Sequence, residues 1–309
     1  MTPPDDPNGS GYFGMPSFLR PVEFPPPSAT VQVTFGADSR RGPSRSVNED
    51  HYIVLRLGRY QETLLTSLPD DAVASRFDEY GYAMVVADGI GGGAGAGETA
   101  SHLALATLVY LVRHFGKWNL RVDDAIAREI MARAERFYRH VDSTLVYQRH
   151  KGAVRAAETT MTAIFGAGYD LFFAHVGHSR AYLCRDRRLM RLTRDHTIGR
   201  KATAPVRTAP LIDVNAAARD LKHVITNTIG MSGLVGPTID LERVHLSDDD
   251  RVLVCTNGLT DAVDEPLIGE VLASDQPPDM QSRALVDLAM ASGSADDVTA
   301  LVGRYRFPQ

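Results

Sequence analysis

The chain has 309 residues, 44% of them hydrophobic and 23% charged, which is the balance of a globular protein with a substantial core. Its formal net charge of -5 and pI near 6.1 argue against nucleic acid or an anionic membrane as the main partner. Two cysteines, Cys184 and Cys255, are too few for a disulfide framework or a zinc cluster, and both sit in apolar runs, as buried free thiols of a reducing compartment do.

The sequence opens without a basic patch followed by an apolar stretch, and no run approaches the ~20 apolar residues that span a bilayer. The expectation is a cytoplasmic protein with no membrane contact. Residues 1–28 are rich in Pro, Gly, Asp and Ser, as in "MTPPDDPNGSG" and "FPPPSA", and predict a disordered tail that cannot offset its ordering entropy. One ordered domain is expected over 29–309.

That domain begins with strand-like alternation in "VQVTFG" and then in "HYIVLRL", residues 51–57. A polar, Asp-rich stretch, "LPDDAVASRFDEYG", separates these from a strongly apolar strand, "YAMVVA", residues 82–87. Two long helices follow. "ETASHLALATLVYLVRHF" is apolar on most sides and predicts a buried helix; in the second, Ile126, Ile130, Ala134, Phe137, Val141 and Leu145 keep a three-to-four-residue period. Asp123 and Asp124 suit the start of that helix.

From 159 to 192, "TTMTAIFGA", "DLFFAHVG", "RAYLCR" and "RLMRLT" are joined by short turns and predict an antiparallel meander. Residues 199–236 carry several Pro and Gly and predict an irregular flap. Strands return at "LERVHLS", "DRVLVCT" and "VTALVGRYR", with helices near 265–274 and 281–292, the latter closed by Gly293. Strands and long helices within one span imply a single α+β layered domain.

Three acidic clusters lie at the edges of apolar strands: Glu49 and Asp50 in "RSVNED", Asp88 before Gly89, and Asp296 with Asp297 in "SADDVT". Repulsion and desolvation oppose such a collection unless a cation is held among the carboxylates. Oxygen ligands of this kind suit Mg²⁺ or Mn²⁺. Each cluster alone also reads as a turn former before a strand.

Together with their surroundings the clusters resemble the metal-dependent, type 2C (PPM-type) protein serine/threonine phosphatases in their bacterial form. The resemblance covers "RSVNED", "VVADGIGG…GETAS", "TTMTAIF", "AHVGHSRAYLCRDRRLMRLTRDHT", "RVLVCTNGLTDAV" and "SADDVTALVGRY", in the family's order. It implies a four-layer α-β-β-α sandwich with two central antiparallel sheets flanked by helices. It also implies two Mn²⁺ or Mg²⁺ ions, with an accessory third. Asp88 would bridge the two metals, Gly89 would offer its carbonyl, Glu49 would serve the second metal, and Asp50 would orient metal-bound water. Asp296 would ligate the first metal, and Arg45 would grip the phosphate, a task suited to a planar, permanently charged guanidinium. The implied reaction is in-line attack on phosphorus by water or hydroxide held between the metals, without a covalent phosphoenzyme. The implied partners are phosphoserine or phosphothreonine proteins, a bacterial serine/threonine kinase or its targets.

Several positions depart from the family pattern. Asn257 in "CTNGLTD" stands where a ligand Asp is usual; its amide keeps a carbonyl oxygen but loses a charge, so the first metal should bind more weakly. His178 in "GHSR" replaces the Asp associated with the accessory metal, and a neutral imidazole can coordinate Mn²⁺. Glu158 stands where Gly usually precedes "TT". "GGGAGAGE" is one residue longer than usual and carries Gly93 and Ala94 in place of a common His, while Ile90 leaves no acid histidine. Asp297 replaces a frequent Asn and reads as a turn residue. Arg180, Asp195 and His196 read as scaffold residues that pair or hydrogen-bond.

The near match of "GGAGAGET" to a phosphate-binding P-loop fails at Glu98, which puts a negative charge where lysine is needed. There is no G-x-S-x-G nucleophile elbow. Asn257 and His178 motivate the alternative reading, a pseudophosphatase that binds phosphoproteins without turning them over.

Overall fold

The computed structural model describes residues 31–69, 75–91, 95–117, 122–152, 157–198, 224–231 and 236–307. The expected tail over 1–28 and most of the expected flap, 199–223 and 232–235, lie outside them.

In chain order the strands are β1 (Gln32–Arg40), β2 (Asp50–Glu62), β3 (Arg76–Gly91), β4 (Ala157–Thr159), β5 (Met161–Ala167), β6 (Asp170–Val176), β7 (Arg180–Arg185), β8 (Arg188–Arg191), β9 (Asp240–His245), β10 (Arg251–Cys255) and β11 (Val298–Arg306). The helices are α1 (Ala96–Phe115), α2 (Asp124–His150), α3 (Asn257–Thr260), α4 (Glu265–Leu272) and α5 (Pro278–Ala291).

Two antiparallel sheets result. One runs β1-β11-β10-β7-β8; the other runs β2-β3-β5-β6-β9, with β4 paired to β3. Apolar side chains on both sides of each sheet dictate the layering. Val85, Ala87, Met161 and Ala174 pack beneath Leu105, Leu108 and Leu111 of α1 and Tyr138, Val141 and Leu145 of α2. Met84, Val86, Ile164 and Leu171 meet Leu183, Val252, Val254 and Leu301 between the sheets. Leu253, Cys255, Ala300 and Val302 pack under Leu285, Val286 and Ala289 of α5. These three apolar seams separate four layers, the expected α-β-β-α sandwich.

Three expectations need correction. The strand expected over 82–87 runs from 76 to 91, because β2 supplies hydrogen-bond partners along the whole polar stretch from Asp78 to Tyr80. Helix α1 is buried on one face only; Tyr110 is 55% exposed on the other. The meander is not continuous: β5 pairs with β6, but β7 pairs with β8 and β10 in the other sheet, so the chain changes sheets at Gly177–His178–Ser179. That crossing carries His178 into the cleft between sheets.

The helix ends follow local chemistry. Asp123 caps α2 by accepting from the Ile126 N–H at 2.8 Å. Gly293 follows α5 with φ 83°, the left-handed conformation its lack of a Cβ permits. The ladder between β1 and β11 sets Gln32 opposite Arg306 and Arg40 opposite Val298.

Candidate metal centre

The antiparallel ladder of β2 and β3 places Asp50 directly opposite Asp88, so two carboxylates come from strands in contact. Both residues are buried. The Thr256 and Thr299 hydroxyls donate to Asp50 Oδ2 at 2.7 and 2.8 Å. Burial nevertheless outweighs these bonds, and with the charges of Asp297 and Asp296 it raises Asp50 to about 7. Asp88 is raised well above the usual carboxylate range, first by burial and then by Asp50 and Asp296, with Arg45 opposing.

Glu49, just before β2, is placed by its backbone. Its N–H donates to Asp297 Oδ2 at 2.7 Å, and its carbonyl accepts from Gly89 N at 3.1 Å and from Ser101 Oγ at 2.6 Å. Burial raises its pKa; the Arg45 guanidinium opposes that push, helped to a smaller degree by the backbone N–H groups of Gly97 and Glu98 at the start of α1. Close approach makes this possible: a Cβ on Gly89 would lie 2.1 Å from Gly97 O, and one on Gly97 would lie 2.8 Å from Glu49 Cδ.

Asp297, read as a turn residue, holds the loop before β2. Besides Glu49 N, its Oδ1 accepts from Gly42 N at 2.8 Å. Asp296 projects beside it. Arg45 bridges the two outer acids: Nη1 lies 3.1 Å from Glu49 Oε2, while Nε and Nη2 donate to Asp296 Oδ1 at 3.0 and 2.5 Å. The guanidinium therefore supplies the positive charge between Glu49 and Asp296.

His178 brings its Nδ1 to 3.7 Å from Asp88 Oδ2, beyond hydrogen-bond distance, and this buried nitrogen has no hydrogen-bond partner. Burial lowers the imidazole pKa, against the opposing charges of Asp261, Asp195 and Asp296. Asn257 opens α3, and its Nδ2 donates to Asp261 Oδ2 at 3.1 Å. The structure thus brings Arg45, Glu49, Asp50, Asp88, Asp296 and His178 together through contacts or charge, with Gly89 in the same strand as Asp88. Asn257 is tied to Asp261, along its own helix.

Among the described residues, no three His, Cys, Asp or Glu side chains converge tightly enough, as placed, to enclose one ion. The donor chemistry still fits a divalent cation. Burial and neighbouring carboxylates push the pKa values of Asp50 and Asp88 upward, a cost that a cation among them would relieve, and His178 offers an unpartnered imidazole nitrogen.

Other residues of the site were not singled out from sequence. Thr256 and Thr299 anchor Asp50, and Ser101 and Gly97 anchor Glu49; their small hydroxyl or absent side chain gave no distinctive pattern. Asp261 lies inside "NGLTD", four residues after Asn257, a helical spacing that could have flagged it. The role of Glu158 also becomes clear. Its Oε2 accepts from Thr228 Oγ1 at 2.6 Å, and Thr159 forms a bridge with Ile229, so the segment 224–231 is fastened beside β4. Gly93 and Ala94 lie outside the described residues. Arg180 and Asp195 form the expected ion pair, at 2.8 Å, and His196 accepts from Gly177 N.

Such a two-sheet sandwich, with acids gathered at one edge of its strand pairs, defines a class that comparison with known proteins makes definite. The family model for protein phosphatase 2C matches residues 66–283, and the chain belongs to that family. The serine/threonine protein phosphatase PstP of Mycobacterium tuberculosis (strain H37Rv) is 31% identical over 220 residues, 71% of this chain and 39% of that protein. The chain therefore matches well under half the length of that relative. The serine/threonine phosphatase stp of Listeria monocytogenes (serotype 4b) is 27% identical over 220 residues, 82% of its length. The crystal structure of the catalytic domain of PstP in complex with two manganese ions superposes with a TM-score of 0.64 at 26% identity, covering 89% of this chain and 99% of that one. The serine/threonine phosphatase of S. agalactiae shares the fold, with a TM-score of 0.68 at 22% identity over 88% of this chain and 99% of that one.

Proposed function

We propose that the chain is a divalent-metal-dependent protein phosphatase that hydrolyses phosphoserine and phosphothreonine in bacterial phosphoproteins. The observation that carries this reading is the opposed Asp50–Asp88 pair, buried and raised in pKa, with Glu49 and Asp296 at its margins. Carboxylates that repel one another in a dry cleft are poised to exchange protons for a metal cation. Asp88, Glu49, Asp296, the Gly89 carbonyl and His178 would hold Mn²⁺ or Mg²⁺, with Asn257 as a weaker oxygen donor. Bound there, such ions supply a nucleophilic water at neutral pH and neutralise charge on the phosphoryl group.

The chain's own residues supply the rest. Arg45, 39% exposed, can exchange its contacts with Glu49 and Asp296 for two phosphate oxygens, an exchange that suits a forked donor. Asp50, fixed by two threonine hydroxyls, would orient water beside the metals. Gly97 and Ser101 keep Glu49 in place. A cytoplasmic site of action agrees with two buried free thiols and with the lack, among the described residues, of any helix long and apolar enough to cross a membrane.

The test is hydrolysis of p-nitrophenyl phosphate and of a phosphothreonine peptide with millimolar Mn²⁺, with EDTA and Asp88→Asn as controls. Turnover that vanishes with either control supports the reading. No turnover at any Mn²⁺ or Mg²⁺ concentration overturns it and leaves a phosphoprotein-binding pseudophosphatase.

A further inference from the structure

A cavity of about 140 Å³ lies between the β2-β3-β5-β6-β9 sheet and the two long helices, away from the acidic cleft. Its wall is almost wholly hydrocarbon, with Ile53 and Leu55 of β2, Val85 of β3, Leu108 of α1, and Ala134 and Phe137 of α2 facing it. The polar groups nearest it are already engaged. The Tyr138 hydroxyl donates to Ala174 O at 2.7 Å. At the rim, Arg133 donates to Lys117 O and to Glu129, and Lys117 Nζ lies 2.8 Å from the same Glu129. Water entering this space would find few partners, whereas an apolar cavity of about 150 Å³ is large enough to take up benzene. The paired rim cations give no preference for an anionic head group.

We propose that this cavity is a binding site for a small uncharged hydrocarbon-like molecule, aromatic or alkyl, and that its occupancy is felt at Glu49 through α1. Three elements that line it also build the acidic cleft. β2 begins at Asp50, directly after Glu49, β3 carries Asp88 and Gly89 near its end, and α1 presents Gly97 and Ser101 to Glu49. Gly97 packs against Gly89 with no room for a Cβ, and Leu108 lines the cavity from the same helix, so α1 is the element that joins the cavity to Glu49. Burial of a ligand's apolar surface supplies the affinity. The inference does not depend on phosphatase activity.

Benzene is the probe, added to the isotopically labelled full chain without metal and followed by NMR. Expected are saturable shifts of the Ala134 and Ala163 methyl signals together with the Gly97 and Ser101 amides. Ala134→Leu, which fills the cavity, should abolish them. Leu108→Ala, which enlarges it, should retain binding and guards against a filled variant that fails to fold. No saturable shifts in the native chain, or the same shifts in folded Ala134→Leu, would overturn the site. Methyl shifts that leave Gly97 and Ser101 unmoved would overturn the link to Glu49.

Discussion

Asp50 faces Asp88 across the β2–β3 ladder, and the two carboxyls share one buried cleft. Asp50 is raised to about 7 from a reference value of 3.8. Between those values the metal-free folded chain keeps a proton that the unfolded chain has released. The contribution of Asp50 to stability is therefore highest below pH 4 and falls as pH rises toward 7. Buried His175, lowered to about 3, pulls the other way as pH falls through 6.5, so the wild-type curve alone is ambiguous. The stability of wild type relative to Asp50→Asn, measured by urea denaturation in EDTA, should decline from pH 4 to 7. A flat difference would remove the raised pKa.

Thr256 and Thr299 hold Asp50 by hydroxyl bonds of 2.7 and 2.8 Å. Thr299→Val removes one donor to a charged acceptor at nearly constant volume. It should cost about 1.5–3 kcal/mol at a pH where Asp50 is ionised. The Asp50 carboxyl should also titrate higher, read from its side-chain ¹³C shift. An unmoved titration would show that the hydroxyl does not stabilise the charge.

Arg45 neutralises Glu49 and Asp296 before phosphate or metal arrives. Arg45→Ala should therefore tighten Mn²⁺ binding in calorimetry while raising KM for p-nitrophenyl phosphate by about tenfold or more, the worth of a charged hydrogen bond. A weaker Mn²⁺ affinity would mean that the guanidinium assists the ion instead of competing with it.

Asn257→Asp places a negative charge beside Asp261. It should lower the Mn²⁺ concentration needed for half-maximal activity. An unchanged or raised requirement would show that this position does not ligate metal, as its bond to Asp261 would then explain.

Gly97→Ala would drive a Cβ to 2.7 Å from the Gly89 carbonyl carbon and 2.8 Å from Glu49 Cδ. Overpacking of this kind should cost about 1–3 kcal/mol in denaturant unfolding, with weakened Mn²⁺ binding as α1 is levered from β3. Native stability in this variant would contradict the close helix–strand contact.

Much of this architecture was legible in the residues. Alternation marked β1 and the apolar part of β2, and the heptad-like spacing from Ile126 to Leu145 marked α2, because each buries one face. In the outer part of the β2–β3 hairpin Gly58 to Glu62 are all exposed and the buried residue opposite is the charged Glu79, so the sequence carries no apolar period; the neighbouring strand makes Asp78 to Tyr80 extended. The sheet change at Gly177–Ser179 was hidden for another reason. A short Gly-containing link looks the same whether the next strand turns back in its own sheet or enters another. Acid motifs located Glu49, Asp88 and Asp296, but Thr256 and Thr299 reach Asp50 from positions 206 and 249 residues away, a closeness that only the folded sheets create.

The pairing of β1 with β11 bears on when the cleft can form during synthesis. β1 leaves the ribosome early, yet its ladder partner is the last described strand to be made. The loop that carries Arg45 and Glu49 is likewise fastened by Asp297, through Gly42 and Glu49. A nascent chain still lacking residues 296–306 can collapse around α1 and α2, but it has nothing to anchor that loop. The cleft closes only after this late segment emerges, so Asp296 and the loop of Arg45 and Glu49 are the last to join Asp50 and Asp88.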